Sequence, residues 1–151
     1  KVTKYNNGEL IGTTTPATLD IQAIESPEYQ WPSAGNEINV KAFGRLYTWY
    51  AATDSRKLCP AGWHLPGDEE WSVLAVSMTG NDPVRFNSIP AGYRLSNGIF
   101  SQFENTARWW SSTGYSSTEA YGRYCEDINA APVRTSSNSM KYGLSVRCVK
   151  D

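Results

Sequence analysis

Histidine and cysteine, on which much hydrolytic, redox and metal chemistry depends, are scarce here: one His (His64) and three Cys in 151 residues. No two cysteines form a C-x-x-C pair, so the usual ligand spacing of a zinc cage is missing. A Ser-His-Asp relay would have to use His64, which lies between Trp63 and Leu65-Pro66 in an apolar run. The expected role of that ring is structural and hydrogen-bonded. No Gly-rich phosphate loop follows a strand and no Asp-x-Asp-x-Asp calcium loop occurs, so no cofactor is expected. Glu126-Asp127 are adjacent acids of the kind that loops leave solvated, and nothing sets the separation that glycoside chemistry requires. Excess charge is lacking too. A net charge of −1 leaves no footprint for a phosphate backbone and argues against nucleic acid as a partner. No apolar run approaches the roughly 20 residues that span a bilayer. Without an initiating Met or a signal-peptide apolar region, the chain reads as a mature product or an excised domain.

Aromatic rings, by contrast, are plentiful, with six Trp and nine Tyr. Such rings fill cores efficiently and also make rigid contact surfaces with a polar tip. The length suits one domain with a real core. Three cysteines allow three single pairings, Cys59–Cys125, Cys59–Cys148 and Cys125–Cys148, and each leaves one thiol over.

The first forty residues, rich in Thr, Asn, Gly and Pro, read as loop with one or two short strands. Leu46, Trp49 and Tyr50 then recur at helical spacing through Ala51-Ala52, which predicts a short helix closed by Asp54-Ser55 and Arg56-Lys57. A second helix follows Pro66-Gly67. Asp68, Glu69 and Glu70 crowd its first turn, where carboxylates meet the positive end of the helix dipole, and are expected to be solvated. Trp71, Leu74, Ala75 and Met78 make its apolar stripe, and Gly80 with Asn81-Asp82-Pro83 supplies its stop. Later segments read as strands: a hairpin over 89–100 around Asn97-Gly98, then 108–113, 120–125 and an alternating strand over 142–149. Residues 126–141, polar and without helical period, read as a pair of surface loops. Helices early and short strands late predict an α+β fold, two helices on a small twisted antiparallel sheet with long loops.

Along 104–140 rings interleave with small hydroxyls and single charges, the chemistry of antibody-like contact surfaces. An ordinary polar loop region would have the same composition. The candidate ligand-binding residues are Arg108, Tyr115, Ser117, Glu119, Tyr121, Arg123, Glu126, Asp127, Asn129 and Arg134.

Several longer stretches are more specific. Leu46-Tyr47-Thr48-Trp49-Tyr50-Ala51, Leu58-Cys59-Pro60-Ala61-Gly62-Trp63-His64-Leu65-Pro66 with Glu70-Trp71, Ala91-Gly92-Tyr93-Arg94, Trp109-Trp110-Ser111-Ser112-Thr113 and Gly143-Leu144-Ser145-Val146-Arg147-Cys148-Val149 occur in order. The chain resembles the Fibrobacter succinogenes major paralogous domain family in these stretches, and Lys1-Val2-Thr3-Lys4-Tyr5-Asn6-Asn7-Gly8 resembles that family's early segment. The resemblance implies a C-type-lectin-like layout in one domain, 1–151, and an extracytoplasmic location in an exported bacterial protein, at the cell surface, on a lipoprotein or at a pilus tip. It also implies a Cys59–Cys148 bridge, with Cys125 left over. Leu65-Pro66 with Glu70-Trp71 is similar to a signature of formylglycine-generating enzymes, yet no closely placed pair of active cysteines accompanies it. The Glu-Pro-Asn, Gln-Pro-Asp and Trp-Asn-Asp motifs of calcium-dependent lectins are missing. Relatives commonly carry an Asn- and Tyr-rich run where residues 125–135 stand here. Diversification by a retroelement that mutates adenines, and ordinary drift of a surface loop, would each leave such a mixed run.

These features imply a non-catalytic, surface-displayed binding or adhesion module, a monomeric domain of a larger surface protein. Its expected ligand is a protein or glycan on a host or bacterial surface, met by the face at about 104–139. The alternatives are a formylglycine-generating-type oxidase or hydrolase, and a purely structural envelope module.

Overall fold

Two aromatic clusters, one on each face of a three-stranded antiparallel sheet, organise the protein. The computed structural model describes residues 1–78, 86–126 and 130–151. In chain order they form β1 (Gln30–Pro32), α1 (Val40–Phe43), β2 (Arg45–Tyr47), α2 (Trp49–Thr53), β3 (Trp63–His64), α3 (Asp68–Ser77), β4 (Tyr93–Arg94), β5 (Phe100–Ser101), β6 (Ala107–Gly114), β7 (Glu119–Cys125), β8 (Val133–Ser139) and β9 (Val149–Lys150). The pairings β1-β2, β3-β9, β4-β5 and β6-β7-β8 are all antiparallel. This is an α+β arrangement of short helices and small antiparallel sheets. Among the described residues no helix is long and apolar enough to cross a membrane.

Neighbouring residues on a strand point to opposite faces, and Trp109-Trp110 uses this directly. Trp110, fully buried, joins Tyr47, Ala51, Leu58, Ala120 and Leu144 in the larger cluster, and its Nε1–H donates to the Tyr47 carbonyl at 2.7 Å. Trp109 faces the other way, with Trp71 of α3, Phe86 and Cys125. Its ring lies 6.0 Å from that of Trp71 and 5.0 Å, edge-on, from that of Phe86. Such pairs add about 0.5–1.5 kcal/mol beyond the area they bury.

Local chemistry sets the helix starts. Thr48 caps α2 through Oγ1, which accepts from the Ala51 N–H at 3.3 Å. At α3 the Glu70 carboxylate accepts the Gly67 N–H at 2.8 Å. Trp71 and Met78 of the expected stripe are buried, while Leu74 and Ala75 are half-buried. The expected stop at Gly80 through Pro83 lies outside the described residues. The 89–100 hairpin forms with Gly98 in its turn at φ +90°, where a Cβ would fall 1.9 Å from the Thr18 carbonyl oxygen.

Three expectations are corrected. Leu46 is not helical: it pairs with Trp31 across β1 and β2, and the helix begins only after the Thr48 cap. Residues 133–139 are not loop but β8, an edge strand on β7 whose polar side chains are mostly exposed. The segment 142–149 is not one strand. It threads between other elements, with Gly143 bridging Arg94, Leu144 bridging Tyr47 and Ser145 bridging Trp109, before β9 pairs with β3. Cys59 and Cys148 form a disulfide with Cα atoms 5.8 Å apart, so the 58–66 and 143–149 stretches meet through it and through β3-β9.

Arg94 shows how the N-terminal loops are fixed. It is fully buried and donates to the carbonyls of Ala17 (3.0 Å), Leu95 (2.9 Å) and Leu19, with its guanidinium 4.0 Å from the Trp31 ring centroid. Burial lowers its pKa to about 10.

Candidate functional site

The tip between β6 and β7 is closed by its own backbone. Tyr115 N–H and Ser116 N–H both donate to the Glu119 carbonyl, at 2.8 and 3.0 Å, while Ser116 Oγ accepts from the Thr118 and Glu119 N–H groups. That turn leaves Tyr115 and Ser117 exposed. Along β7 the register puts Tyr121 on the same face as Arg123, and Arg134 of β8 lies directly opposite Arg123. Tyr115 meets Tyr121 edge-on at 5.3 Å, and the Arg134 guanidinium lies 4.1 Å from the Tyr121 ring centroid.

Two cross-strand arginines repel unless a counter-charge sits between them. Asp68, first residue of α3, is that charge: Oδ1 lies 2.8 Å from Arg123 Nη2 and Oδ2 lies 2.9 Å from Arg134 Nη2. Arg123 Nη2 also donates to the Asp68 carbonyl (2.7 Å) and to Ser72 Oγ (2.9 Å). The contact with Oδ1 is ionic without an aligned hydrogen bond. Arg123 is 3% exposed and its pKa is lowered by burial. It fastens α3 to the sheet. The Arg134 side chain, 50% exposed, is the one presented to solvent.

Together these residues border a cleft of about 460 Å³ lined by Gly67, Asp68, Glu69, Glu70, Thr113, Tyr121 and Arg134. Its walls offer a phenol ring carrying a stacked guanidinium, a threonine hydroxyl and carboxylates. A rigid ring with a few placed polar groups suits recognition of a polar ligand. At its rim, His64 Nδ1 lies 2.6 Å from Asp151 Oδ1 and Nε2 lies 2.8 Å from Glu70 Oε1. Those contacts, Asp151 first, raise the His64 pKa, while the Gly67 N–H and then His64 lower that of Glu70. With both ring nitrogens facing carboxylates, His64 is placed as a clamp between β3, α3 and Asp151.

The sequence candidates divide accordingly. Tyr115, Tyr121, Arg123 and Arg134 come together here. Glu119 opens β7, half-buried at the turn, with Ser117 at the exposed tip and Glu126 exposed just beyond β7. Arg108 lies on the opposite face, its guanidinium 4.2 Å from the Tyr93 ring centroid and 5.7 Å from that of Tyr124. Asp127 and Asn129 lie outside the described residues. Asp68 and Thr113 were missed. Asp68 is not a solvated helix start: its side chain is 14% exposed, because two arginines from distant strands enclose it. Thr113 Oγ1 accepts the Asp68 N–H at 3.0 Å, tying the β6 end to the helix start. No short-range pattern marks either role. Among the described residues no cluster of three or more His, Cys, Asp or Glu is arranged to hold a metal ion.

The family model described as the Fibrobacter succinogenes major domain matches residues 1–83. No curated protein and no solved structure matches the chain. The matched part contains Cys59, β3 and α3; the Tyr115–Tyr121–Arg134 group lies beyond it.

Proposed function

Since the chain belongs to the Fibrobacter succinogenes major domain family, we propose that it is a non-catalytic binding module on a C-type-lectin-like scaffold, displayed outside the cytoplasm. The observation that carries this is the Tyr115–Tyr121–Arg134 group, with Tyr115 and Arg134 exposed and Tyr121 half-buried beside the α3 cleft, held from beneath by Asp68 and Arg123. Binding energy concentrates in Tyr and Arg anchors with little freedom to lose, and this group has that form. The Cys59–Cys148 bridge supports an oxidising compartment, where such bonds persist. Exposed positions such as Ser117 and Glu126 can change without disturbing the frame, which suits a face diversified among copies, by a retroelement or otherwise. The ligand is a protein or glycan of a host or bacterial surface.

The test is to probe an array of surface proteins and glycans with the purified domain and its variants. The expected result is a bound ligand that Tyr121→Ala and Arg134→Ala each weaken about tenfold, with Ile38→Ala, a distant exposed change, without effect. Retention of every bound ligand by both site variants would place recognition elsewhere.

A further inference from the structure

A second cleft, of about 430 Å³, lies beside the disulfide, with Trp63, Lys57, Ser55, Ser112 and the His64–Asp151 pair in its wall. We infer that it is a separate binding site for an acidic saccharide, with the indole of Trp63 as the platform and Lys57 as the carboxylate partner. Trp63 departs from the other tryptophans: the residue is 42% exposed, whereas Trp31, Trp71, Trp109 and Trp110 are buried. Trp31, Trp49, Trp71 and Trp110 spend their Nε1–H groups inside the protein, on Thr14, Ser111, Trp110 and Tyr47 respectively. An exposed indole in a concave wall stacks well on the C–H face of a pyranose ring, and nearby hydroxyls meet its edge.

Charge decides the class. The cleft's carboxylates each have a cationic partner: Asp54 meets Arg56, which also pairs with Glu9 and Glu28, and Asp151 meets His64, which also pairs with Glu70. Of the charged side chains in the cleft wall, Lys57 is thus the one left without an ion-pair partner among the described residues, and it is positive. Lys57 is also held at φ +61°, a backbone state that lysine seldom adopts. Such strain persists where surrounding structure enforces it and gathers at functional sites. Here the Cys59 bridge two residues on and the Asp54 carbonyl, which accepts the Lys57 N–H at 2.9 Å, enforce it.

The test uses digalacturonate and the neutral disaccharide cellobiose as probes, read on the Trp63 indole N–H resonance of the full chain with its disulfide intact. Digalacturonate is expected to shift that resonance in the millimolar range and to bind several-fold more tightly than cellobiose. Trp63→Ala, which removes that reporter and is read on the Lys57 and His64 backbone amides instead, should weaken digalacturonate about tenfold. Lys57→Asn, which tolerates the left-handed backbone, should remove the preference for the acid. Both side chains are exposed, and an unchanged amide spectrum elsewhere certifies each fold. Tyr121→Ala should leave the titration unchanged, so this inference and the proposal for the Tyr121 cleft fail separately. Absence of any shift with digalacturonate would overturn it, as would equal binding of the two sugars or insensitivity to both substitutions.

Discussion

Replacing Asp68 with Ala removes the carboxylate that, among the described residues, pairs with both Arg123 and Arg134. The two ion pairs are unequal. Arg134 is half-exposed, and pairs of that kind contribute no more than about 1 kcal/mol. Arg123 is 3% exposed, and stripping a buried charge of its partner costs about 3–5 kcal/mol. Arg123 keeps two hydrogen bonds, to the Asp68 carbonyl and Ser72 Oγ, so the expected loss is near the lower end, about 3 kcal/mol. Arg134→Ala should cost less than about 1 kcal/mol. Removing both buried charges, as in Asp68→Leu with Arg123→Met, should recover most of the loss, because no orphaned charge remains. Urea unfolding with the disulfide intact measures all three. A loss below about 1 kcal/mol for Asp68→Ala, or equal losses for Asp68→Ala and Arg134→Ala, would refute the assignment of Arg123 as the buried anchor.

Opening the Cys59–Cys148 bridge, by Cys59→Ala with Cys148→Ala, should destabilise the fold by about 4–5 kcal/mol in the chain-entropy model for a sequence separation of 89 residues. Thermal unfolding would show it, and an unchanged midpoint would mean that the β3-β9 closure holds without it. His64 has a folded pKa above its ordinary 6.5, so the native state holds the proton more tightly than the unfolded chain. Its stabilisation is complete below about pH 6.5 and fades as pH rises through the folded value. His64→Gln should flatten the dependence of the urea midpoint on pH in that window; identical slopes in the two proteins would contradict the clamp. Arg94→Leu should cost about 2 kcal/mol or more, since the Ala17 and Leu19 carbonyls lose their donor while that of Leu95 keeps the Gly98 N–H. Hydrogen exchange should then show faster exchange at the Leu19 and Ile21 amides, and unchanged protection there would refute the pinning role.

Legibility in the sequence followed the range of the forces involved. The start of α3 could be read because its acidic first turn and its apolar stripe lie within ten residues of one another. The strands carrying Trp109-Trp110 and Tyr121–Arg123 could be read from β-forming residues and flanking turns. Leu46 was misplaced because its spacing to Trp49 and Tyr50 imitates a helix, while the strand that claims it is paired from fifteen residues upstream, at Trp31. Residues 133–139 gave no strand signal because an exposed edge strand has no apolar face to alternate; only Asn138 of this strand is buried. Tyr115, Tyr121, Arg123 and Arg134 were picked by composition and do meet in space, whereas Arg108 went to the other face by strand parity. Asp68 was out of reach, since its role exists only once β7 and β8 are laid beside α3. The disulfide pairing came from family resemblance, because three cysteines alone leave it open.

The recognition account is tested most directly by the pattern of substitutions among sibling copies of this domain in one genome. It predicts that differences concentrate at the exposed positions 115, 117, 126 and 134 and the half-buried position 121, while Asp68, Arg123, Trp109 and Trp110 are retained beneath them. Differences spread evenly over exposed positions, as frequent around Ile38 or Val73 as around Tyr121, would contradict it.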